Sequence, residues 1–448
     1  MAETASLKEI PQMPNDNFLG VLGQFIKSPL GLFKNAEIAA RKAEAPLVKM
    51  RIAHKYGYYI ADLEALRIIF REWDTFHKET GTDAGKVIGY GLVLANGEEW
   101  AQARKIMGPA FHRKAVASYV DIMRTLTEQM VAKLLAAKEP IAMNPEFLDL
   151  ATSIVRDALF GAGYNNEEMA RGIESTYYLV SVLVSRSQNP LSLPLSWPTP
   201  QGNKVRRTQK QLLNLFWPIV QKIRTQQEPG TSLLDLIING EDTQGQGLND
   251  QQILDQIKII FLAGTETSAK TMGWAFYVLK KYPEVEAKLR QEIDQVLGDS
   301  PITFDHIPQL TYLRQVILET LRYYPPTWLT TRVALIDEEI MGFRIPEGAS
   351  LMISPYWYHH NAEYWGDPEN FRPERFAELD PLPHYFIPFM SGPRKCIGDT
   401  FALTELMVVF ATLLQRTSWE LAPDFQPNIK IGVSIGMKEK MEARFQLN

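Results

Sequence analysis

The chain has 448 residues, of which 45% are hydrophobic and 22% charged, and its formal net charge is −5. This length exceeds what one hydrophobic core commonly organises, so we expect two packed lobes or domains. The slightly acidic composition argues against a nucleic-acid-binding protein, which usually carries a basic domain. A single cysteine excludes an intrachain disulfide and fits a reducing compartment. The N-terminal stretch MAETASLKEIPQMPNDNFLG contains no apolar run that could span a bilayer, and we expect a soluble, cytoplasmic protein.

Helical spacing of apolar residues dominates the chain, and strand-like segments are few. In chain order, we expect strands in 45–62, a helix over 114–138, a short helix in 233–240, a long helix from about Asn249 to Tyr282, and strands in 334–354 and 429–436. Asn249 and Gln252 resemble a capping box at the start of the long helix, and Pro283 ends it. Turns are expected at Gly342 and Gly348. The pattern predicts a mainly α protein with a small β portion assembled from sequence-distant pieces.

The only cysteine, Cys396, lies in FIPFMSGPRKCIGDTFALTELM (386–407), a glycine-containing stretch that precedes an apolar helix. An isolated cysteine most commonly fills a hydrophobic core. A catalytic Cys–His pair with the nearby His384 is a second interpretation.

A third interpretation is a thiolate metal ligand, and the neighbours of Cys396 favour it. They form the pattern F-x-x-G-x-R-x-C-x-G, with Phe389, Gly392, Arg394 and Gly398. Glycines permit a tight turn in which backbone N–H groups approach a sulfur, and the positive end of the following helix would stabilise a thiolate. The arginine suits a carboxylate, and Phe389 would shield the sulfur from water.

This pattern is the haem-binding signature of the cytochrome P-450 superfamily, and the chain resembles members of that family over nearly its whole length. The resemblance implies that Cys396 is the proximal ligand of a haem b iron, a ligation that favours O–O bond cleavage. It also implies the mainly α cytochrome P-450 fold, in which residues 1–448 form one catalytic domain with a large helical lobe and a smaller β-rich lobe. Haem would lie between the long helix and the helix after the cysteine loop.

The long helix contains FLAGTETSAK (261–270), where a glycine and two threonines are unfavourable for helix formation. A tolerated defect on a packing face is one interpretation. By resemblance, the segment matches the family's A/G-G-x-D/E-T sequence, and the helix would open locally at Ala263 and Gly264 to make room for O2. Thr267 would then hydrogen-bond dioxygen, and Glu266 would supply through water the protons that O–O heterolysis requires.

Two further patterns imply a structural network. Glu319 and Arg322 form E-x-x-R in VILETLRYYPP, a spacing that is typical of a solvated pair on a helix. In the cytochrome P-450 superfamily, which the chain resembles, such a pair joins the arginine of P-E-R-F in a buried network that holds the haem-binding core. Arg375 of FRPERF is the matching residue here, and its implied role is structural rather than catalytic.

Other residues are candidates for haem contacts. Trp100 and Arg104 form W-x-x-x-R and share one helix face, which suits an indole at the haem edge and a guanidinium on a propionate. An ordinary amphipathic helix explains the same pair. By resemblance, Arg332 of TTRVALIDEE corresponds to a further propionate-binding arginine. His77 is a weaker candidate, for which a surface histidine is the favoured interpretation.

The segments expected to line a substrate pocket are almost all apolar: 81–92, 177–197, 325–331 and 433–437. As pocket candidates we single out Leu262, Trp328, Leu329 and Ile435, although core packing explains apolar side chains equally well. Such a pocket favours an apolar substrate of the fatty acid, terpenoid or carotenoid, steroid or polyketide class. The stretch PPTWLTTR has a loose likeness to bacterial family members that act on long isoprenoids.

Since the sequence continues from the cysteine motif only to Asn448, we expect no fused reductase. The resemblance then implies external partners, a ferredoxin or flavodoxin with an NAD(P)H-dependent reductase. Lys105, Arg113, Lys114 and Lys395 would form a basic patch that steers an acidic electron carrier, and scattered surface cations are the alternative.

Three functions follow from the resemblance. The first is an O2-dependent monooxygenase that hydroxylates or epoxidises its substrate. The second is a haem-thiolate peroxygenase, isomerase or dehydratase that does not activate O2, and the third is a non-catalytic haem sensor. The Glu266–Thr267 pair favours the first, because the second class commonly loses this acid–alcohol arrangement and a sensor does not need it.

Overall fold

The computed structural model of the chain describes residues 7–14, 18–52, 55–79, 84–161, 166–187, 192–226 and 230–448. The α-helices in chain order are α1 Phe18–Lys27, α2 Pro29–Lys42, α3 Leu63–Arg71, α4 Ala84–Ile88, α5 Gly97–Met107, α6 Arg113–Ala117, α7 Val120–Ala136, α8 Met143–Phe160, α9 Asn166–Ser187, α10 Pro200–Thr225, α11 Leu233–Ile238, α12 Asp250–Lys281, α13 Pro283–Leu297, α14 Thr311–Tyr323, α15 Pro355–His359, α16 Ala362–Trp365 and α17 Asp399–Arg416. Short 3-10 helices cover Gly108–Phe111, Phe304–Gln309 and Pro373–Ala377.

The strands are short and spread along the chain. They are β1 Leu47–Ile52, β2 Lys55–Ile60, β3 Phe76–His77, β4 Ile141–Ala142, β5 Thr330–Ala334, β6 Glu338–Ile340, β7 Phe343–Ile345, β8 Ser350–Ile353, β9 Thr417–Leu421, β10 Ile429–Ile431, β11 Ile435–Met437 and β12 Glu442–Leu447. The protein is therefore mainly α with small sheets, as the sequence predicts.

The chain divides into two compact units, each assembled from sequence-distant segments. Unit 1 contains the described residues of Met1–Glu79, Arg322–Phe371 and Leu379–Cys396. Unit 2 contains those of Thr80–Leu321, Arg372–Glu378 and Ile397–Asn448.

Unit 1 is built on a five-stranded sheet with the order β1-β2-β8-β5-β3. The β2–β8 pair is parallel and the other pairs are antiparallel. Helix α3 begins after Asp62, whose carboxylate accepts the N–H groups of Glu64 and Ala65 at 2.7 and 3.0 Å. Its apolar residues Leu66 and Ile69, three positions apart on one helix face, belong to the core of the sheet. This packing fixes α3, which matters below because its Phe70 contacts the cysteine loop.

Unit 2 is organised around α12, most of whose residues are buried. The expected capping box is confirmed: the N–H of Gln252 donates to Asn249 Oδ1 at 3.0 Å, and the N–H of Asn249 donates to Gln252 Oε1 at 2.9 Å. Farther along α12, Phe276 stacks on Trp419 of β9 with 4.4 Å between ring centroids. The unit also contains the three-stranded sheet β4-β12-β9 and the hairpin β10-β11.

Several local predictions from sequence are confirmed and others need revision. The long helix, the β10-β11 hairpin and the left-handed turns at Gly342 and Gly348 are present. The expected helix over 114–138 is two helices, α6 and α7. Strands β9 and β12, which pair along Thr417 to Leu421, were not predicted from the sequence. Their pairing is non-local, and apolar and polar residues alternate only weakly within each strand.

Glu319 on α14 is fully buried in unit 2 and is not a solvated surface residue. Its Oε1 accepts the Arg375 Nε–H at 3.1 Å and the backbone N–H of Arg372 at 2.8 Å. In unit 1, Arg322 is also fully buried and donates to the carbonyl oxygens of His359 and Asn370 at 2.8 and 3.3 Å. Both residues of the E-x-x-R pattern therefore have interior, structural surroundings.

Replacing Arg375 tests the importance of this buried ion pair. Arg375→Ala removes from the fully buried Glu319 carboxylate the positive charge of Arg375, a side chain that is itself only 4% exposed. The free energy of unfolding should therefore fall by about 3–5 kcal/mol. The matched control is Arg67→Ala, which removes an exposed helix-surface pair with Glu64 at 2.9 Å and should cost less than about 1 kcal/mol. Urea unfolding followed by circular dichroism measures both, and equal small losses would contradict the structural role.

Candidate active site

The cysteine loop of unit 1 is closed by two backbone hydrogen bonds. The N–H of Cys396 donates to the carbonyl of Phe389 at 2.8 Å, and the N–H of Lys395 donates to the carbonyl of Gly392 at 3.0 Å. The Cys396 side chain is exposed. Core filling, the common role of an isolated cysteine, therefore does not describe it, and its sulfur is accessible to a ligand.

Glycine is required at one of the two glycine positions of the motif. Gly392 has φ +70°, in the left-handed region, and a Cβ there would lie 2.4 Å from the backbone oxygen of Phe70. Gly398 differs from the expectation, because its φ is −93° and a Cβ would lie 3.9 Å from the Phe111 ring. The tight turn thus depends on Gly392, whereas a side chain at position 398 has room in this structure.

Three cations of unit 1 lie close together: Lys78, Arg332 and Arg394. Arg332 on β5 is 1% exposed, and the antiparallel register of β3 with β5 pairs His77 with Val333. Lys78, the next residue, is therefore brought beside Arg332. The Lys78 ammonium donates to Thr330 Oγ1 at 2.7 Å, and Arg332 donates to the carbonyl of Thr331 at 3.0 Å.

The proximity of these charges shows in their acid–base properties. Burial and then repulsion from Arg394 lower the pKa of Arg332 to about 9. Burial, followed by repulsion from Arg332 and Arg394, holds the pKa of Lys78 well below its ordinary value, and burial lowers the pKa of Arg394 to about 10. An anion with two carboxylates would offset this repulsion. The cluster therefore fits the two propionates of a haem, and the accessible thiol beside Arg394 in sequence fits its iron.

Lys78 was missed by the sequence reasoning, which considered its neighbour His77 instead. His77 is half-buried, and its pKa is lowered by burial and by the Arg394 charge. Only the register of β3 with β5 shows that Lys78 lies beside Arg332. A strand of two residues has almost no recognisable pattern in the sequence, so this pairing could not be predicted.

In unit 2, the segment FLAGTETSAK forms an uninterrupted part of α12. The hydroxyl of Thr265 donates to the Phe261 carbonyl at 2.7 Å, and that of Thr267 donates to the Ala263 carbonyl at 2.6 Å. The segment is thus helical throughout, with no break in α12. These hydroxyls add hydrogen bonds to carbonyls four residues earlier, as is common for threonine inside helices.

Two side chains near Thr267 in sequence have partners on other elements of unit 2. Glu266 accepts a hydrogen bond from Ser434 Oγ at 2.8 Å and forms an ion pair with Lys270 at 2.5 Å. Ser268 donates to Glu405 Oε2 on α17 at 2.6 Å. Glu405 is fully buried, and burial raises its pKa to about 8. It therefore joins α12 to α17 as a largely neutral acid near pH 7, a contact that the sequence reasoning did not find.

The other candidates are distributed over both units. Trp100 is buried and Arg104 half-buried on α5 of unit 2, where their spacing places them on one helix face. On α12, Ala263 is exposed. A Cβ at Gly264 would lie 3.0 Å from Val155 on α8, so this glycine permits close helix packing.

The pocket candidates have mixed surroundings. Trp328 is buried in unit 1, with its ring centroid 6.0 Å from that of Phe33, and core packing accounts for it. Leu329 is half-buried, and Ile435 on β11 is fully buried. Leu262 lines a cavity of about 10 Å³, which has room for a single water. Of the segments expected to line the pocket, residues 81–83 and 188–191 lie outside the described residues.

Comparisons with known proteins agree with the cysteine motif. A sequence model of the family described as cytochrome P-450 matches residues 11–442. The chain is 29% identical over 395 residues to cyclooctat-9-en-7-ol 5-monooxygenase of Streptomyces melanosporofaciens, covering 86% of this chain and 84% of that protein. It is 30% identical over 419 residues to pentalenene oxygenase of Streptomyces avermitilis, covering 91% and 90%. It is also 30% identical over 351 residues to cytokinin hydroxylase of Arabidopsis thaliana, covering 76% and 68%.

The chain belongs to the cytochrome P-450 family and is an oxidoreductase, a monooxygenase of that family. Membership implies a haem cofactor, and such monooxygenases need O2 and redox partners. Within the described part of the chain, no helix combines the length and apolar character needed to cross a membrane.

Replacing Gly392 tests whether the cysteine loop depends on its contact with α3. Gly392→Ala should lower both the free energy of unfolding and the haem content of the purified protein, because the new Cβ meets backbone and not a flexible side chain. Gly348→Ala is the matched control, since it shares a positive φ of +77° but has nothing within 4 Å of the new Cβ. It should cost about 1–2 kcal/mol of strain and keep its haem. Equal haem content and stability in the two variants would refute the packing argument.

Proposed function

We propose that this protein uses haem b, O2 and external electrons to hydroxylate or epoxidise an apolar small molecule. The observation that carries the proposal is the accessible thiol of Cys396 on a loop whose Arg394 belongs to a buried cation cluster. An anionic sulfur ligand and cations for two carboxylates are the two requirements for holding haem through a thiolate.

In this proposal the residues of the loop and the cluster bind and orient the cofactor. Cys396 supplies the proximal ligand, Gly392 lets the loop lie against α3, and Lys78, Arg332 and Arg394 bind the propionates. Trp100 and Arg104 are proposed as further contacts at the haem edge and a propionate, on the strength of their match to the family pattern. Bound in this way, haem supplies the activation of O2.

Glu266 and Thr267 are proposed to deliver protons. The Thr267 hydroxyl donates to the Ala263 carbonyl, so its lone pairs remain to accept a hydrogen bond from a reactant or a water. The Glu266 side chain is 20% exposed, so its carboxylate can exchange protons with water. An acid and an alcohol next to each other meet the need for proton transfer.

A terpenoid is the substrate class that we propose. The predicted pocket segments are apolar, and two bacterial relatives are named for pentalenene and cyclooctat-9-en-7-ol. For electrons we propose a ferredoxin or flavodoxin with its NAD(P)H-dependent reductase. The exposed Lys105, Arg113 and Lys114 of unit 2 support docking of an acidic carrier, and product formation with each purified carrier tests the choice.

The ligation is tested by the absorption spectrum of the dithionite-reduced protein exposed to CO. We expect a strongly red-shifted Soret band that is lost in Cys396→Ser, because only the thiolate produces that shift. A band at the position of a histidine-ligated haem, or an unchanged spectrum in Cys396→Ser, would contradict the assignment of Cys396.

The proton path is tested by removing the alcohol. Thr267→Ala should keep NADPH oxidation but divert it from product to peroxide, because the hydroxyl that orients proton transfer is gone. Thr271→Ala is the control, since its hydroxyl likewise bonds a carbonyl four residues earlier, that of Thr267, at 2.9 Å. Product and peroxide are quantified per NADPH. Unchanged coupling in Thr267→Ala would place the proton path elsewhere, and peroxide-supported turnover without O2 would favour the peroxygenase alternative.

A further inference from the structure

The carboxylate of Glu266 belongs to a closed set of three polar groups in unit 2. The Lys270 ammonium bonds Glu266 Oε1 and also donates to Ser434 Oγ at 2.8 Å and to the Ser434 carbonyl at 3.1 Å. Ser434 Oγ in turn donates to the same Oε1 of Glu266 at 2.8 Å. Each of the three side chains therefore contacts the other two.

Ser434 lies in the turn of the β10-β11 hairpin, between Ile431 and the paired Ile435, and it is 2% exposed. The same hairpin contacts Lys270 a second time. A Cβ at Gly436 would lie 3.0 Å from Lys270 Cε and 3.2 Å from Cδ, so the aliphatic part of the lysine lies against the strand. Lys270 thus fastens the hairpin to α12 through both its ammonium and its stem.

This arrangement differs from an ordinary helix-surface pair. A glutamate and a lysine four residues apart usually form a solvated pair of little consequence. Here the side chains are only 20% and 28% exposed, and a buried serine from another element bonds both of them. Lys280, on the same helix, instead pairs with Glu286 of α13 at 2.7 Å.

We propose that Lys270 and Ser434 are positioning residues for the Glu266 acid, and that through them the hairpin and the acid move together. The proposal rests on the function proposed above for Glu266. Within the described part of the chain, both donors converge on Oε1, so Oε2 is the oxygen that remains for exchange with water. The two donors therefore fix the orientation of the Glu266 carboxylate, and a proton taken up from water would be carried on Oε2 in the direction that they set. The hairpin includes residues 433–437, which are predicted to line the substrate pocket.

The test compares variants of the haem-loaded protein by two measurements. Lys270→Met keeps the apolar stem and removes the ammonium, Ser434→Ala removes the hydroxyl, and Lys280→Met is the control on the same helix. The first measurement is product and peroxide formed per NADPH. The second, which does not depend on turnover, is amide hydrogen exchange of residues 429–437.

We expect product per NADPH to fall about tenfold in Lys270→Met and Ser434→Ala, with a matching rise in peroxide, which is less than the 10²–10⁴-fold effect of losing a general acid. Exchange in the hairpin should become about tenfold faster in Lys270→Met, as expected when a charge-assisted hydrogen bond is removed. Lys270→Arg, which keeps charged donors, should recover part of the coupling, and Lys280→Met should match the parent protein in both measurements.

The outcomes separate this proposal from the one on which it rests. If Thr267→Ala remains coupled, the proposed proton path is wrong. If Thr267→Ala uncouples but Lys270→Met and Ser434→Ala do not, only the positioning role is wrong, whether or not hairpin exchange changes. Equal uncoupling in Lys280→Met would also overturn it, because the effect would then belong to any lysine of α12.

Discussion

The candidate site depends first on one close contact in unit 1, between the backbone oxygen of Phe70 and Gly392. A Cβ on residue 392 would lie only 2.4 Å from this oxygen. The cysteine loop can therefore approach α3 this closely only because residue 392 is glycine. The ring of Phe70 lies 5.5 Å from the Arg332 guanidinium. Phe70 of α3 therefore contacts both the loop that carries Cys396 and Arg332 of the cation cluster. The hydrophobic core that packs α3 against the sheet thus helps to position the candidate site.

The cation cluster makes cofactor binding and the stability of unit 1 interdependent. The pKa of Arg332 is lowered to about 9 and that of Arg394 to about 10, so each charge is less favourable here than in the unfolded chain. A group of this kind destabilises the fold while it is charged, below its lowered pKa, and the penalty is relieved as pH rises through that value. A bound dianion relieves the same penalty near pH 7. Binding energy therefore appears as folding energy. Lys78 also contributes to it, because burial and the charges of Arg332 and Arg394 lower its pKa.

The parts of the fold that were predictable from sequence are those set by local chemistry. The capping box at Asn249, the glycine turn at 342 and the cysteine loop each depend on neighbouring residues, and each is present. Lys78 was missed because its role follows from the pairing of β3 with β5, about 250 residues away in the chain. The segment around Ala263 is helical throughout, and the threonine hydroxyls there bond carbonyls of the same helix. Lys270 is spaced from Glu266 as a surface pair would be, and nothing local indicates that Ser434 joins them.

The hydrogen bonds around Glu266 and Thr267 constrain how a proton can move. A hydroxyl whose hydrogen is engaged can accept but not donate, and the Thr267 hydrogen is engaged by the Ala263 carbonyl at 2.6 Å. In this state Thr267 orients a donor, and the proton must come from water or from the acid. Glu266 is constrained in a different way: its Oε1 already accepts hydrogen bonds from Lys270 and Ser434, so Oε2 is the oxygen that can exchange a proton with water. In the proposed proton path, Thr267 therefore accepts a hydrogen bond, and Glu266 passes on a proton that it has taken up from water. The direction of transfer would then be set before substrate arrives. Such preorganisation avoids rearranging polar groups during the reaction.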